Sequence, residues 1–424
     1  MTLPRGIWAL GLVSAFMDIS SEMIHGLLPV FLVTVIGAGA TSIGLIEGAG
    51  EGLALSTRVF SGYLSDRLER RKGLIVSGYL LGTLTKPLFA LAAGVGLVFT
   101  ARLLDRFGKG LRGAPRDALI ADLAPPHQWG SAYGLRQALD SVGAFLGPLL
   151  AVAIMALTAD DYRAVFWLAG LPGAVAVAIL VLGVREPAGR TVKPARLPVN
   201  ATDIRRLDRA YWLVLGVGVV FSLARFSEAF LLLRAEAIGL APGLVPLVLV
   251  IISLVYALGA YPVGRLSDRF GRLRLLGAGL AFLIVADLIL AAATGVWQVA
   301  AGAALWGLHL AFTQGLFAAL VADTSTATVR GTAFGVYGLV TGVAVLLANV
   351  LAGGLWDRYG APVTFLAGAL FSLLALAGFE ALRRCTGKYK CRGRHDCRDD
   401  AQGCASVAEG QDARSDRQEV GYQK

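Results

Sequence analysis

Leu288–Ala322, LILAAATGVWQVAAGAALWGLHLAFTQGLFAALVA, runs for 35 residues without Asp, Glu, Lys or Arg. Ala237–Gly264 does the same for 28 residues and Gly331–Trp356 for 26. A helix that crosses a bilayer needs about 20 predominantly apolar residues, whereas a membrane β-barrel shows alternating segments of about 10. Outward from these runs the composition agrees. Of 424 residues, 56% are hydrophobic and 16% charged, against roughly 25% charged in average soluble chains. The fold class is an all-α polytopic membrane protein.

Twelve spans can be drawn, near 7–36, 42–63, 74–93, 96–121, 131–157, 163–184, 211–236, 243–264, 274–293, 296–321, 331–355 and 361–382. The first extends past the roughly 7–15 apolar residues of a cleavable signal and is expected to stay as a span. With the N-terminus inside, cytoplasmic loops carry Arg67, Arg70, Arg71 and Lys72, then seven basic residues in Arg185–Arg209, then Arg265, Arg269, Arg272 and Arg274. The opposite loops hold only Arg358. The positive-inside bias therefore predicts both termini in the cytoplasm of a bacterial inner (plasma) membrane. The net charge of +10 belongs to these loops and to lipid headgroups, not to nucleic acid.

Arg185–Arg209 has three prolines and separates six spans from six. The expected division is a first six-helix bundle over 1–184, a cytoplasmic linker over 185–210, a second bundle over 211–383 and a disordered tail over 384–424. An internal repeat supports this cut. Gly62-Tyr-Leu-Ser-Asp-Arg67 returns as Gly264-Arg-Leu-Ser-Asp-Arg269, and Ala118-Leu-Ile-Ala-Asp122 returns as Ala319-Leu-Val-Ala-Asp323, at offsets of 202 and 201. Parallel six-span halves are a transporter architecture.

These residues resemble the major facilitator superfamily, most like its bacterial proton-antiporter efflux branch, over the chain up to about residue 383. The family's loop motif, Gly-x-x-x-Asp-Arg-x-Gly-Arg-Arg, is met by Gly62, Asp66, Arg67, Arg70 and Arg71, with Glu69 in place of the second Gly. Its second copy has Gly264, Asp268, Arg269, Gly271 and Arg272. Arg102 matches the family's buried span-four arginine. Gly143, Gly147 and Pro148 resemble its span-five antiporter motif, without the glycines that usually follow the proline. The resemblance implies two pseudo-symmetric six-helix bundles that rock about a central site lined by spans one, four, seven and ten. It also implies a gating role for the loop motif, in which Asp66 meets the N-terminus of a facing helix and the arginines find carboxylates or helix C-termini across the bundle interface.

Ionisable groups inside spans are costly and each demands a partner or a task. Asp18, Glu22 and His25, spaced by four and three, stack on one face of span one. Two carboxylates beside an imidazole are suited to taking up and releasing a proton or cation; the alternative is that they pair with arginines and only hold the bundles together. In span four, Arg102, Arg106, Lys109, Arg112 and Arg116 form one basic stripe that Asp105 joins. Facing the cavity, that stripe would attract an anion; otherwise only Arg102 and Asp105 are deep. Arg225 and Glu228 in span seven either contact substrate or neutralise each other. Glu47, Glu51 and Arg58 in span two read as gating salt bridges, and Lys86 and the pair Arg136 and Asp140 as internal ones. In span ten His309, Thr313 and Gln314 offer polar groups to the cavity, with a hydrogen-bonded packing role the alternative for His309.

All four cysteines, 385, 391, 397 and 404, lie in the tail with His395, at spacings wider than the tight pairs of a zinc site. No metal site and no cofactor is expected. Gly108-Lys109-Gly110 lacks the flanking Gly and Ser/Thr of a phosphate loop, and no nucleophile–base constellation appears, so enzyme activity is not expected. The expected function is a monomeric secondary transporter working by alternating access, exporting a small molecule against protons. The alternatives are proton-coupled uptake of an organic anion or metal chelate, and a membrane sensor that transports nothing.

Overall fold

The computed structural model describes residues 3–68, 70–186, 199–270, 272–314, 316–326 and 329–380. Most of the expected linker, the tail with its cysteines and His395, and the side chains of Asp268 and Arg269 lie outside the described residues. The described residues form helices and no strands. Twelve long helices follow in order: α1 Arg5–Thr34, α2 Ala40–Arg67, α3 Lys72–Ala90, α4 Val95–Leu123, α5 Trp129–Leu157 and α6 Tyr162–Gly183. The second set is α7 Arg209–Ala237, α8 Leu247–Phe270, α9 Arg272–Ala291, α10 Val296–Thr313 continued by Leu316–Asp323, α11 Arg330–Tyr359 and α12 Ala361–Glu380. Among the described residues, ten stretches are long and apolar enough to cross a membrane by length and composition alone; α2 and α4 are not among them. Those two carry several charges and pair some of them with each other, Arg102 with Glu47 and Arg106 with Glu51.

Several helices are interrupted where the sequence weakens the ladder. α1 turns at Gly26–Leu27 and restarts at Leu28, with Pro29 in the new first turn, where its missing N–H costs nothing. α3 bends at Thr85, before Pro87. α7 leaves helical geometry at Arg225 (φ −110°, ψ 78°) and resumes at Ala229. The repeat seen in the sequence is also geometric. Gly37 and Gly239, 202 residues apart, both turn the chain with positive φ (74° and 96°) after α1 and α7. α3 crosses α4 at Gly78 and Gly108, and α9 crosses α10 at Gly279 and His309, each 201 residues later.

Two bundles result. In the first, α4 packs on α2 and α3 while α1 packs on α5 and α6; in the second, α10 packs on α8 and α9, and α11 on α7. Across the interface α2 lies along α11 and α5 along α8. Gly44, Gly48 and Gly52 place one small-residue face of α2 against Asn349, Leu346 and Gly342 of α11, so close that a methyl at Gly48 would sit 2.9 Å from the Leu346 Cα. At the end bearing the α1–α2 turn, one apolar core runs through both bundles and includes Phe31, Phe166, Phe230 and Phe365. There Asp357 of α11 accepts hydrogen bonds from the Ala40 and Thr41 amides, each 2.8 Å, at the N-terminus of α2.

Candidate functional site

Between the bundles lies a cavity of about 430 Å³, within the usual range for small-molecule sites. α1 contributes Asp18 and Glu22, α2 Glu51 and Arg58, α4 Lys109, Arg112 and Arg116, and α5 Arg136 and Asp140. The second bundle supplies Ser253, Tyr256 and Gln314. Every ionic group is therefore on the first bundle, and the opposite wall is polar but neutral. Arg58 marks the wet end, its side chain 58% exposed.

Beneath the cavity lies a buried ionic layer. Arg102 donates to Glu47 at 2.6 Å with both side chains 2% exposed, Arg106 to Glu51 at 2.8 Å, and Lys86 to Asp105 at 2.9 Å and to Ser21 at 3.2 Å. A charge in this setting persists only when matched. His25 joins Glu22, Nδ1 to Oε2 3.3 Å. Glu47 also accepts the Ser227 hydroxyl of α7 at 3.4 Å, and the Ser227 amide donates to Asn349 of α11 at 2.8 Å. The unwound turn of α7 thus ties the first bundle's ionic layer to the second bundle. Nearer the wet end Asp117 draws Arg58 to 3.0 Å, Arg116 to 3.3 Å and Arg136 to 3.8 Å, while Arg136 also meets Asp140 at 2.9 Å.

Several expectations need correction against this geometry. Arg102 and Asp105 do not line the cavity; carboxylate and lysine partners on neighbouring helices consume them. Arg225 and Glu228 form no ion pair with each other, because the helix that would stack them is unwound between them. His309 faces α9, its Nδ1 donating to the Gly279 carbonyl at 2.9 Å, and packs between Phe221 and Trp306. Of the six residues expected in the substrate cavity, Gln314 is the one that lines it, at the point where the first segment of α10 ends. Asp18 and Glu22 do line it, and His25 sits behind Glu22.

The loop motif makes contacts within its own bundle. Arg71 bridges Asp66 at 2.8 Å and Asp122 of α4 at 3.5 Å, and its amide donates to Glu186 after α6. Arg67 lies over the Tyr63 ring, and Gly62 lets α2 approach Ala114 of α4. Gly264 is helical in α8. At the opposite end of the molecule another carboxylate, Asp357, meets a facing helix N-terminus across the interface. In α5, Gly143 and Gly147 fit against α1 at Asp18 and Glu22, so the span-five motif sets the spacing behind the span-one carboxylates; Pro148 follows inside the same helix.

One buried group was missed in the sequence. Asp287 of α9 is fully buried, and among the described residues neither of its oxygens has a partner. Asp287 is the one acidic residue of a helix whose other charges, Arg272 and Arg274, stand in its first turn. In the repeat, Asp287 takes the place of Lys86 and Trp306 that of Asp105, an offset of 201. Where the first bundle has an ion pair, the second has a carboxyl and an indole.

A sequence profile of the Major Facilitator Superfamily matches residues 10–234 and again 215–389. An MFS-type transporter of Methanocaldococcus jannaschii is 31% identical over 88% of this chain and 94% of its own length. The inner membrane transport protein YajR of Escherichia coli is 23% identical over 88% and 82%, and the multidrug resistance protein MdtH of Edwardsiella ictaluri 27% over 59% and 61%. Among solved structures, the nucleoside transporter NupG superposes with a TM-score of 0.76 at 12% identity over 89% of this chain and 99% of that one. A bacterial homologue of the human lysosomal transporter Spinster gives 0.72 at 17% over 91% and 98%. With two profile matches in tandem on two six-helix bundles, this chain belongs to the Major Facilitator Superfamily and is a multi-pass membrane transporter.

Proposed function

We propose that this transporter exports a small molecule in exchange for protons across a bacterial inner membrane, as a monomer with both termini in the cytoplasm. The observation that carries this reading is the pair of span-one carboxylates, Asp18 and Glu22, in the wall of a cavity between the bundles. A carboxyl there meets water from one side or the other as the bundles rock, which is what coupling to a proton gradient requires. Glycines of the span-five motif hold α5 directly behind these two residues, and one relative carries the name multidrug resistance protein. In this reading Glu22 and Asp18 take the proton, His25 holds Glu22, and the loop motif with Asp66 and Arg71 stiffens the cytoplasmic end. The boundaries proposed are bundles at 1–184 and 211–383, with linker 185–210 and tail 384–424 dispensable for the chemistry.

Uptake of an organic anion is disfavoured because the basic stripe is largely neutralised by Glu47, Glu51 and Asp117. A sensor that transports nothing has no use for an ionic cavity between two moving bundles. The test is reconstitution into vesicles with an imposed pH gradient. Proton movement on adding a substrate, abolished by Glu22→Gln or Asp18→Asn, with exchange at equal pH persisting in Glu22→Gln, is the expected result. Full pH-driven accumulation by both variants overturns the coupling role of span one, and no substrate-dependent proton movement at all overturns proton exchange.

A further inference from the structure

Nine ionic side chains line the cavity, four acidic and five basic. Seven have a partner within the protein. Asp117 holds Arg58 and Arg116, Asp140 holds Arg136, Arg106 holds Glu51 and His25 holds Glu22. Arg112 lies over the Tyr79 ring at 4.6 Å. Two remain. Lys109 of α4 and Asp18 of α1 have neither a hydrogen bond nor an ion pair among the described residues. Both line the same cavity as Glu22 and Glu51, Lys109 exposed to it and Asp18 half-buried. The facing wall of Ser253, Tyr256 and Gln314 adds no charge.

Resting on the transport reading above, we propose that the substrate is zwitterionic: its anionic group docks on Lys109 and its cationic group on Asp18. A simple anion would leave Asp18 unmatched and bring negative charge toward Glu22 and Glu51. A simple cation would leave Lys109 unmatched among Arg112 and Arg116. A zwitterion satisfies both open groups with charge-assisted bonds and adds no net charge to a wall that is already close to balance. The unpaired ions thus exclude singly charged competitors as much as they attract the right one.

The experiment is calorimetric titration of the purified full-length protein in detergent. The probes are ω-amino carboxylic acids from β-alanine to aminocaproic acid, each beside its matched alkyl carboxylate and alkylammonium. At least one chain length is expected to bind about tenfold more tightly than both singly charged analogues. Lys109→Gln should erase the preference over the alkylammonium, and Asp18→Asn the preference over the alkyl carboxylate. Lys109→Arg keeps the charge and should keep the preference, and a melting temperature near that of the parent qualifies each variant as folded. Singly charged analogues that match the zwitterions at every length overturn the proposal, as does a preference that survives both neutral variants. Binding needs no gradient, so failure here is distinct from failure of proton exchange, which is read as flux in vesicles.

Discussion

Lys86 and Asp105, 1% and 4% exposed and 2.9 Å apart, stand inside α3 and α4. Removing one partner of such a pair costs about 3–5 kcal/mol, whereas replacing both by apolar residues of similar volume is often neutral. Lys86→Met and Asp105→Leu should therefore each lower the melting temperature in detergent sharply, and the double variant should recover most of the loss. A double variant as unstable as the singles would mean the two charges serve other partners. The spacing of charges along one helix made Arg136 and Asp140 readable as a pair, since both lie on α5. It could not assign Arg102 to Glu47 or Lys86 to Asp105, because those partners are set by how three helices meet. Asp287 escaped notice for a related reason: a lone carboxylate has no spacing to read.

At the scale of helices, ten of the twelve spans were legible as long apolar runs, while α2 and α4 had to be drawn through their charges. What the apolar pattern did not carry was the interruptions. An i, i+3 argument for Arg225 and Glu228 presumes a continuous helix, and α7 is unwound between them. The span-five glycines read as a motif, and the structure supplies their physical role. A methyl at Gly143 would fall 2.8 Å from the Asp18 Cβ, and one at Gly147 2.7 Å from the Glu22 Cβ and 2.9 Å from the Ile19 carbonyl oxygen. Gly147→Ala should push α5 off α1, with an overpacking cost on the order of 1–3 kcal/mol and a loss of pH-driven transport. Gly134→Ala on the same helix, with nothing within 4 Å, is the control and should behave as the parent. Equal behaviour of the two would remove the packing role assigned to the motif.

For the whole molecule, the bundles meet at one end through a shared apolar core and part around an ionic cavity. A chain truncated after Arg384 should transport normally, since both bundles precede it; activity that returns only with the tail and its cysteines would revive a metal role for that segment. The truncated chain also lacks every cysteine, which makes it the background for testing what holds the closed end. Asp357 of α11 accepts from the Ala40 and Thr41 amides at 2.8 Å and from the Thr41 hydroxyl at 2.6 Å. Those amides are the unsatisfied donors of the α2 N-terminus, where negative charge is favoured. The contact exists only while the bundles touch at that end, so losing it penalises that state alone. Loss of a capping interaction costs about 0.5–2 kcal/mol, which shifts the balance toward the opposite opening by roughly twofold to thirtyfold. In Asp357→Ala, hydrogen exchange at the first turn of α2 should accelerate. A cysteine placed at Ser253, in the cavity wall, should label faster with a membrane-impermeant thiol reagent added from the Asp357 side. Unchanged exchange and labelling would mean that the apolar core around Phe31 and Phe230 holds that end shut without help from the carboxylate.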